Sequence, residues 1–182
     1  MNADVLDFAQ FIRAREQSLQ RTAWLLTGDW GLAEDLVQTA LARSWPRWDR
    51  INRRDDPEVY VRRVMVNTWF TWSRRRWRTE KAAPGADVAE AAASLRTAGR
   101  AAAGDDVASE VATRMALRDA LAALNSRQRA VLVLRVYDDL PEAQVAQILN
   151  CSVGTVKSAQ SRALARLREE LRLAGFMERE AR

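Results

Sequence analysis

Residues 139 to 171, "DLPEAQVAQILNCSVGTVKSAQSRALARLREEL", constrain the fold most. Val145, Ile148 and Leu149 share one side of a short helix predicted over 141–149. Val153, Val156, Ala159, Ala163, Leu167 and Leu171 repeat at three- and four-residue intervals, the apolar stripe of a second helix. Only Asn150-Cys151-Ser152 separates the two. Asn tolerates the left-handed backbone that so tight a turn needs, and Ser152 stands where a hydroxyl caps the next helix. Two helices across such a turn predict a helix-turn-helix. On the outward face of the second helix, Gly154, Ser158 and Ser161 are small enough to permit close approach. Thr155, Lys157 and Arg162 flank them and can reach base edges or phosphates. The helix N-terminus adds a positively polarised end. Packing within a bundle is the competing reading. Cys151 reads as a turn or core residue, since no base or metal partner accompanies it.

The remaining chain is also helical in pattern, and no segment shows a strand alternation bounded by turns. A first helix over about 4–27 places Phe8, Phe11, Ile12, Leu19, Ala23 and Leu26 on one side and ends in the turn cluster Gly28-Asp29-Trp30-Gly31. A second carries Leu32, Leu36, Val37, Ala40, Leu41 and Trp45 before Pro46. Asp56-Pro57 opens a third, running to about Trp77, because Asp caps well and Pro suits the first helical position. Residues 79–104 are Ala-rich, with Pro84, Gly85, Gly99 and Gly104, and offer too little apolar surface to offset the entropy of ordering. Met115, Leu117, Leu121 and Leu124 mark another helix, after which Ser126 is the expected cap of a helix bearing Val131, Leu132, Leu134 and Val136. The expectation is an all-α protein: two small helical domains, 1–78 and 105–182, joined by a flexible linker.

On the third predicted helix, Val61, Val64, Met65, Thr68 and Trp72 form the expected core side. Arg63, Asn67, Phe70, Arg74 and Trp77 lie opposite. Aromatics interleaved with Arg suit stacking on unpaired bases while charges hold phosphates. A solvated face with aromatics packed on neighbours is the alternative. The loop expected over 50–56, with Arg50, Asn52, Arg53 and Arg54, and the run Arg74 to Arg78 extend the same surface.

Composition narrows the chemistry. The chain has 29 basic and 24 acidic residues, a net charge of +5, and only Lys81 and Lys157 among its bases are lysines. There is no His and one Cys, so neither a disulfide framework nor a conventional zinc cluster can be assembled, and no cofactor or metal site is expected. Without a Cys beside a base or a Gly-rich phosphate loop, no catalytic constellation is visible and an enzyme is not expected. No apolar run approaches the roughly 20 residues of a membrane span, and the N-terminus lacks a signal-peptide pattern, so a cytoplasmic location without membrane partners is expected.

"AEDLVQTALARSW" (33–45), "YVRRVMVNTWFTWSRRR" (60–76) and "SRQRAVLVLRVYDDLPEAQVAQILNCSVGTVKSAQSRALARLRE" (126–169) resemble, in turn, region 2.2, regions 2.3–2.4 and region 4 of bacterial RNA polymerase sigma factors of the extracytoplasmic-function class. The resemblance covers nearly the whole chain and is most specific in region 4. It implies partners: RNA polymerase core and promoter DNA, with an anti-sigma factor compatible as a third. Asp35 and Gln38 match residues facing the β′ clamp helices. Asn67 matches the Asn beside the pocket for a flipped minus-10 base, which the 50–56 loop would form. Thr155, Lys157, Ser158, Ser161 and Arg162 fall at or beside the minus-35 reading positions. Leu132, Val136 and Tyr137 would belong to the surface meeting the β-flap. The chain departs from the pattern at Thr71 and Ala159, where Asp and Arg are frequent. Pro141 and Gln144 replace a Ser/Glu capping box, which leaves Asp139 as the candidate cap. A two-domain regulator whose helix-turn-helix works as a dimer is the rival reading; it leaves the stripe around Asn67 without a role.

Overall fold

The computed structural model describes residues 3–54, 56–82 and 105–175, all helices and turns. Helices α1 (Ala3–Thr27), α2 (Trp30–Ser44), α3 (Trp48–Arg54) and α4 (Pro57–Ala82) make the N-terminal half. The C-terminal half has α5 (Asp105–Ala122), α6 (Ser126–Leu132) continuing as a π-helical turn (Val133–Tyr137), α7 (Glu142–Leu149) and α8 (Val153–Leu173). The predicted 79–104 linker begins as helix, because α4 runs through Ala82; its residues 83–104 lie outside the described part.

Local signals account for most helix ends. Gly28, at φ 77°, closes α1 by donating its N–H to Trp24 O at 2.7 Å. The next helix starts immediately: Asp29 Oδ1 accepts Leu32 N at 2.8 Å, so Trp30 and Gly31 are helical and not part of the turn. Asp56 Oδ1 accepts Glu58 N at 2.9 Å and opens α4 as expected. Two caps differ from the sequence reading. Asn125, not Ser126, caps α6, in a reciprocal box where Gln128 N reaches Asn125 Oδ1 at 2.9 Å and Asn125 N reaches Gln128 Oε1 at 3.3 Å. At α7 the cap position is Pro141, without a side-chain bond, and Asp139 serves as a left-handed turn residue at φ 50°.

Another difference lies at 50–54. These residues are helical, not a loop, because Trp48 and Ile51 turn inward to 3% and 0% exposure and tie the segment to the core. Phe8 meets Trp48 edge-on at 4.7 Å, and Phe11 meets it at 5.0 Å. Leu32 and Trp45 of the predicted α2 face, and Val153 of α8, are instead exposed.

The two halves pack on one another. One core cluster takes Leu19, Leu26, Leu36, Val61 and Met65 from the first and Val131, Leu134, Val145, Ile148 and Val156 from the second. Leu121, Leu124, Leu132 and Ala163 form a smaller cluster under α5. Helix α4 is consequently buried on more sides than its expected core face. Val61, Met65 and Thr68 are inward as predicted, but so are Arg62, Val66 and Trp69, while Val64 and Trp72 are only half-buried.

Candidate nucleic-acid interface

Asn150, at φ 48° and ψ 59°, reverses the chain between α7 and α8, and Cys151 N closes the turn on Ala146 O at 3.0 Å. Arg127 Nη2 reaches the Leu149 carbonyl at 3.4 Å from α6. Ser152 Oγ accepts Thr155 N at 3.1 Å, the predicted cap. A β-branched residue in a left-handed conformation costs about 1–2 kcal/mol, so Asn150→Val should lower the unfolding free energy by that amount, whereas Asn150→Gly should be neutral or slightly stabilising. Urea denaturation of the two variants checks this; equal effects would contradict the assignment of strain to this backbone.

With the turn set, α8 buries Val156, Ala159 and Ala163 and exposes Gly154, Lys157, Ser158, Ser161 and Arg162, with Thr155 half-exposed beside them. A Cβ at Gly154 would meet nothing nearer than Ser152 Oγ at 3.8 Å. Internal packing therefore does not demand a glycine there. The cations on this face are lightly held. Arg162 folds back along its helix, with Nε to Ser158 O at 3.1 Å, and Lys157 Nζ lies 3.5 Å from Glu142 Oε2 across the motif. Exposed contacts of this kind are worth a fraction of a kcal/mol, so a phosphate or base can displace them.

A second face lies on α4. Asn67 and Arg74 are exposed, and Arg63 and Phe70 are half-buried. Phe70 rests against Trp69 with ring centroids 5.3 Å apart, so part of the packed-aromatic reading holds for it. Arg74 Nε touches Phe70 O at 3.3 Å, and Arg63 Nε has no partner among the described residues. Thr71 Oγ1 donates to the Asn67 main-chain carbonyl at 2.9 Å, not to its side chain. The Trp77 side chain lies outside the described residues.

Asp35 and Gln38, one turn apart on α2, are both exposed, and Gln38 Nε2 donates to Glu34 Oε1 at 3.2 Å. Val136 and Tyr137 on the π-helical turn are 57% and 45% exposed, but Leu132 is buried at 5% and belongs to the core beneath them. Among the described residues no group of His, Cys, Asp and Glu could hold a metal, and no helix is long and apolar enough to cross a membrane.

One part of the molecule escaped the sequence reading. Arg62, on the face of α4 turned toward the C-terminal half, donates from Nε to Asp138 Oδ2 at 2.9 Å and from Nη2 to Asp138 Oδ1 at 3.2 Å, with 4% and 1% of the two side chains exposed. Periodicity places an Arg outside by default, and nothing local marks a partner 76 residues away.

The sigma-70 region 2 family matches residues 11–79, and the sigma-70 region 4 family matches residues 114–167. The chain is 39% identical over 170 residues to the RNA polymerase sigma-E factor of Streptomyces coelicolor, covering 92% of this chain and 88% of that protein. It is 39% identical over 183 residues to the sigma-E factor of Streptomyces antibioticus, covering 98% and 94%. The fold resembles that of the sigma factor RpoE solved with the anti-sigma factor NepR from Bartonella quintana, with a TM-score of 0.68, 23% identity and coverage of 91% and 97%. It also resembles CnrH solved with the cytosolic domain of CnrY, with a TM-score of 0.59, 19% identity and coverage of 91% and 88%. With both family regions in order, the helix-turn-helix at the end of the second and full-length relatives at this identity, the chain belongs to the RNA polymerase sigma factors of the extracytoplasmic-function class.

Proposed function

We propose that this chain binds RNA polymerase core and directs it to promoters by recognising DNA at two points. The C-terminal domain reads minus-35 duplex with the α8 face built from Thr155, Lys157, Ser158, Ser161 and Arg162. The N-terminal domain captures unpaired minus-10 bases on the α4 stripe of Arg63, Asn67, Phe70, Arg74 and Trp77. Asp35 and Gln38 meet the β′ clamp helices, and Val136 and Tyr137 meet the β-flap. The protein works by binding: contacts to flipped bases offset part of an unstacking cost of a few kcal/mol per base. An Ala-rich connection over 79–104 lets both domains act on one promoter, so each weak contact gains from a raised effective concentration. An anti-sigma factor is a further partner on this reading, and the site of action is the cytoplasm.

The observation that carries the reading is the pairing of two separate surfaces, one on a capped helix-turn-helix and one on α4 around the exposed Asn67 and Arg74, in a chain of this family. Run-off transcription with core polymerase tests it. Specific initiation that depends on the added protein is expected; a folded protein that confers none on a promoter library refutes it. Asn67→Ala should slow strand opening more than closed-complex formation, since its partner is an unpaired base. A permanganate footprint with undiminished opening would remove that role.

A further inference from the structure

A cleft of about 630 Å³ lies between α1, the start of α2, α5 and the π-helical turn, and it shares no lining residue with either face proposed above to read DNA. Its first wall is one stripe of α1, where Gln17, Gln20, Arg21 and Trp24 recur at three- and four-residue spacing. The turn after α1 builds on that stripe. Gly28, at φ 77°, reverses the chain, and Asp29 follows with extended backbone. Trp30 therefore folds back, and its ring stacks on Trp24 with centroids 5.6 Å apart and planes inclined by 25°.

The C-terminal half supplies Arg114 and Leu117 from α5 and Tyr137 from the π-helical turn. Leu117 and Leu25 are half-buried and complete the apolar lining. Trp30 and Tyr137 keep 52% and 45% of their surface exposed. Two large rings left open around one cavity are apolar surface that a ligand removes from water.

The polar groups among these rings select the chemistry of that ligand. The guanidinium groups of Arg21 and Arg114 and the amides of Gln17 and Gln20 line the cleft, and no residue lining it is acidic. An aromatic ring stacks on indole faces, and an anionic group attached to it meets the guanidinium groups, which bind phosphate and carboxylate through paired N–H donors. A ligand without the ring leaves the tryptophans wet, and one without the anion desolvates two cations for nothing. The volume falls within the roughly 300–1,000 Å³ of small-molecule sites, which combine a mostly apolar lining with a few polar groups.

We propose that this cleft is a binding site for a small planar aromatic anion of mononucleotide size, whose ring stacks on the Trp24 and Trp30 pair and whose phosphate or carboxylate is held by Arg21 and Arg114. Tyr137 is both a wall of the cleft and a β-flap contact in the function proposed above, so a bound ligand competes with polymerase there. That consequence rests on the proposed function; the site itself does not.

Isothermal titration calorimetry of the full chain tests it, with AMP and indole-3-acetate as phosphate and carboxylate probes, and with adenosine and ribose 5-phosphate as ring and anion alone. At least one aromatic anion should bind one-to-one with a Kd of about 1 mM or tighter, and the one that does identifies the source of the anion. Ring or anion alone should bind about 10-fold more weakly than the better probe. Trp30→Ala and Arg21→Gln, both at exposed positions, should each weaken that probe about 10-fold or more with unchanged far-UV helicity. Trp45→Ala, 40% exposed and outside the cleft, should leave its binding unchanged. The site is overturned by absence of binding for both probes, by equal binding of ribose 5-phosphate, by Trp30 and Arg21 variants that bind like wild type, or by an equal loss in Trp45→Ala. A short oligothymidylate that binds far tighter than either probe and loses that affinity in Trp30→Ala would make the cleft part of the DNA surface, and overturns it as well. Run-off transcription on the same samples keeps the two proposals apart: wild type that binds the probe and initiates nothing refutes the function and leaves the site standing.

Discussion

Leu134→Ala is expected to lower the free energy of unfolding by about 3–5 kcal/mol, at the upper end of the range for buried leucines. Leu134 is fully buried in the cluster that continues from α1, α2 and α4 into the C-terminal half. Its removal deletes apolar contacts and leaves a void that neighbours anchored on several helices cannot fill. The π-helical turn limits relaxation further: Leu134 O accepts Leu140 N at 3.0 Å, so its backbone is tied to the turn that carries Asp138. Urea unfolding followed by circular dichroism measures the effect. Leu173→Ala, at a position 67% exposed, should change stability by less than about 0.5 kcal/mol. A Leu134 variant within 1 kcal/mol of wild type would show that the shared core is not a stabilising unit.

Arg162→Ala is expected to weaken binding to a minus-35 duplex about 10- to 100-fold, corresponding to the roughly 1–3 kcal/mol of one good base contact. Arg162 is exposed on α8 and held only by its own helix, through Ser158 O at 3.1 Å and Ser158 Oγ at 3.3 Å. It can therefore swing outward at little cost and contributes nothing to the core. Binding to core polymerase should be nearly unchanged, which a pull-down measures beside fluorescence anisotropy on the duplex. Salt dependence separates two roles. Loss of a phosphate contact weakens all sequences alike and reduces the salt slope by about one, whereas loss of a base contact relaxes specificity at one position. Lost polymerase association with intact DNA binding would contradict the placement of Arg162 on the DNA face.

Whatever short-range physics controls can be read from the order of the residues. The helix-turn-helix was legible because Asn150 and Ser152 sit between two apolar stripes, and each stripe reports its own buried side through a period of three to four residues. For the same reason Asp56 announced α4, and the exposed positions of Lys157, Ser158, Ser161, Arg162, Asn67 and Arg74 could be read as the reverse of a core face. Contacts between distant segments were set by packing alone. Helix α3 exists because Trp48 and Ile51 find a core to enter, although the Arg-rich stretch alone resembles a loop. Leu132 was expected at a surface and is buried because α5 covers it. Arg62 is inside because Asp138, Glu58 and Ser18 satisfy its guanidinium there and offset the cost of burying its charge. Periodicity carries no information about a partner on another domain, so packing of the two halves had to be observed in three dimensions.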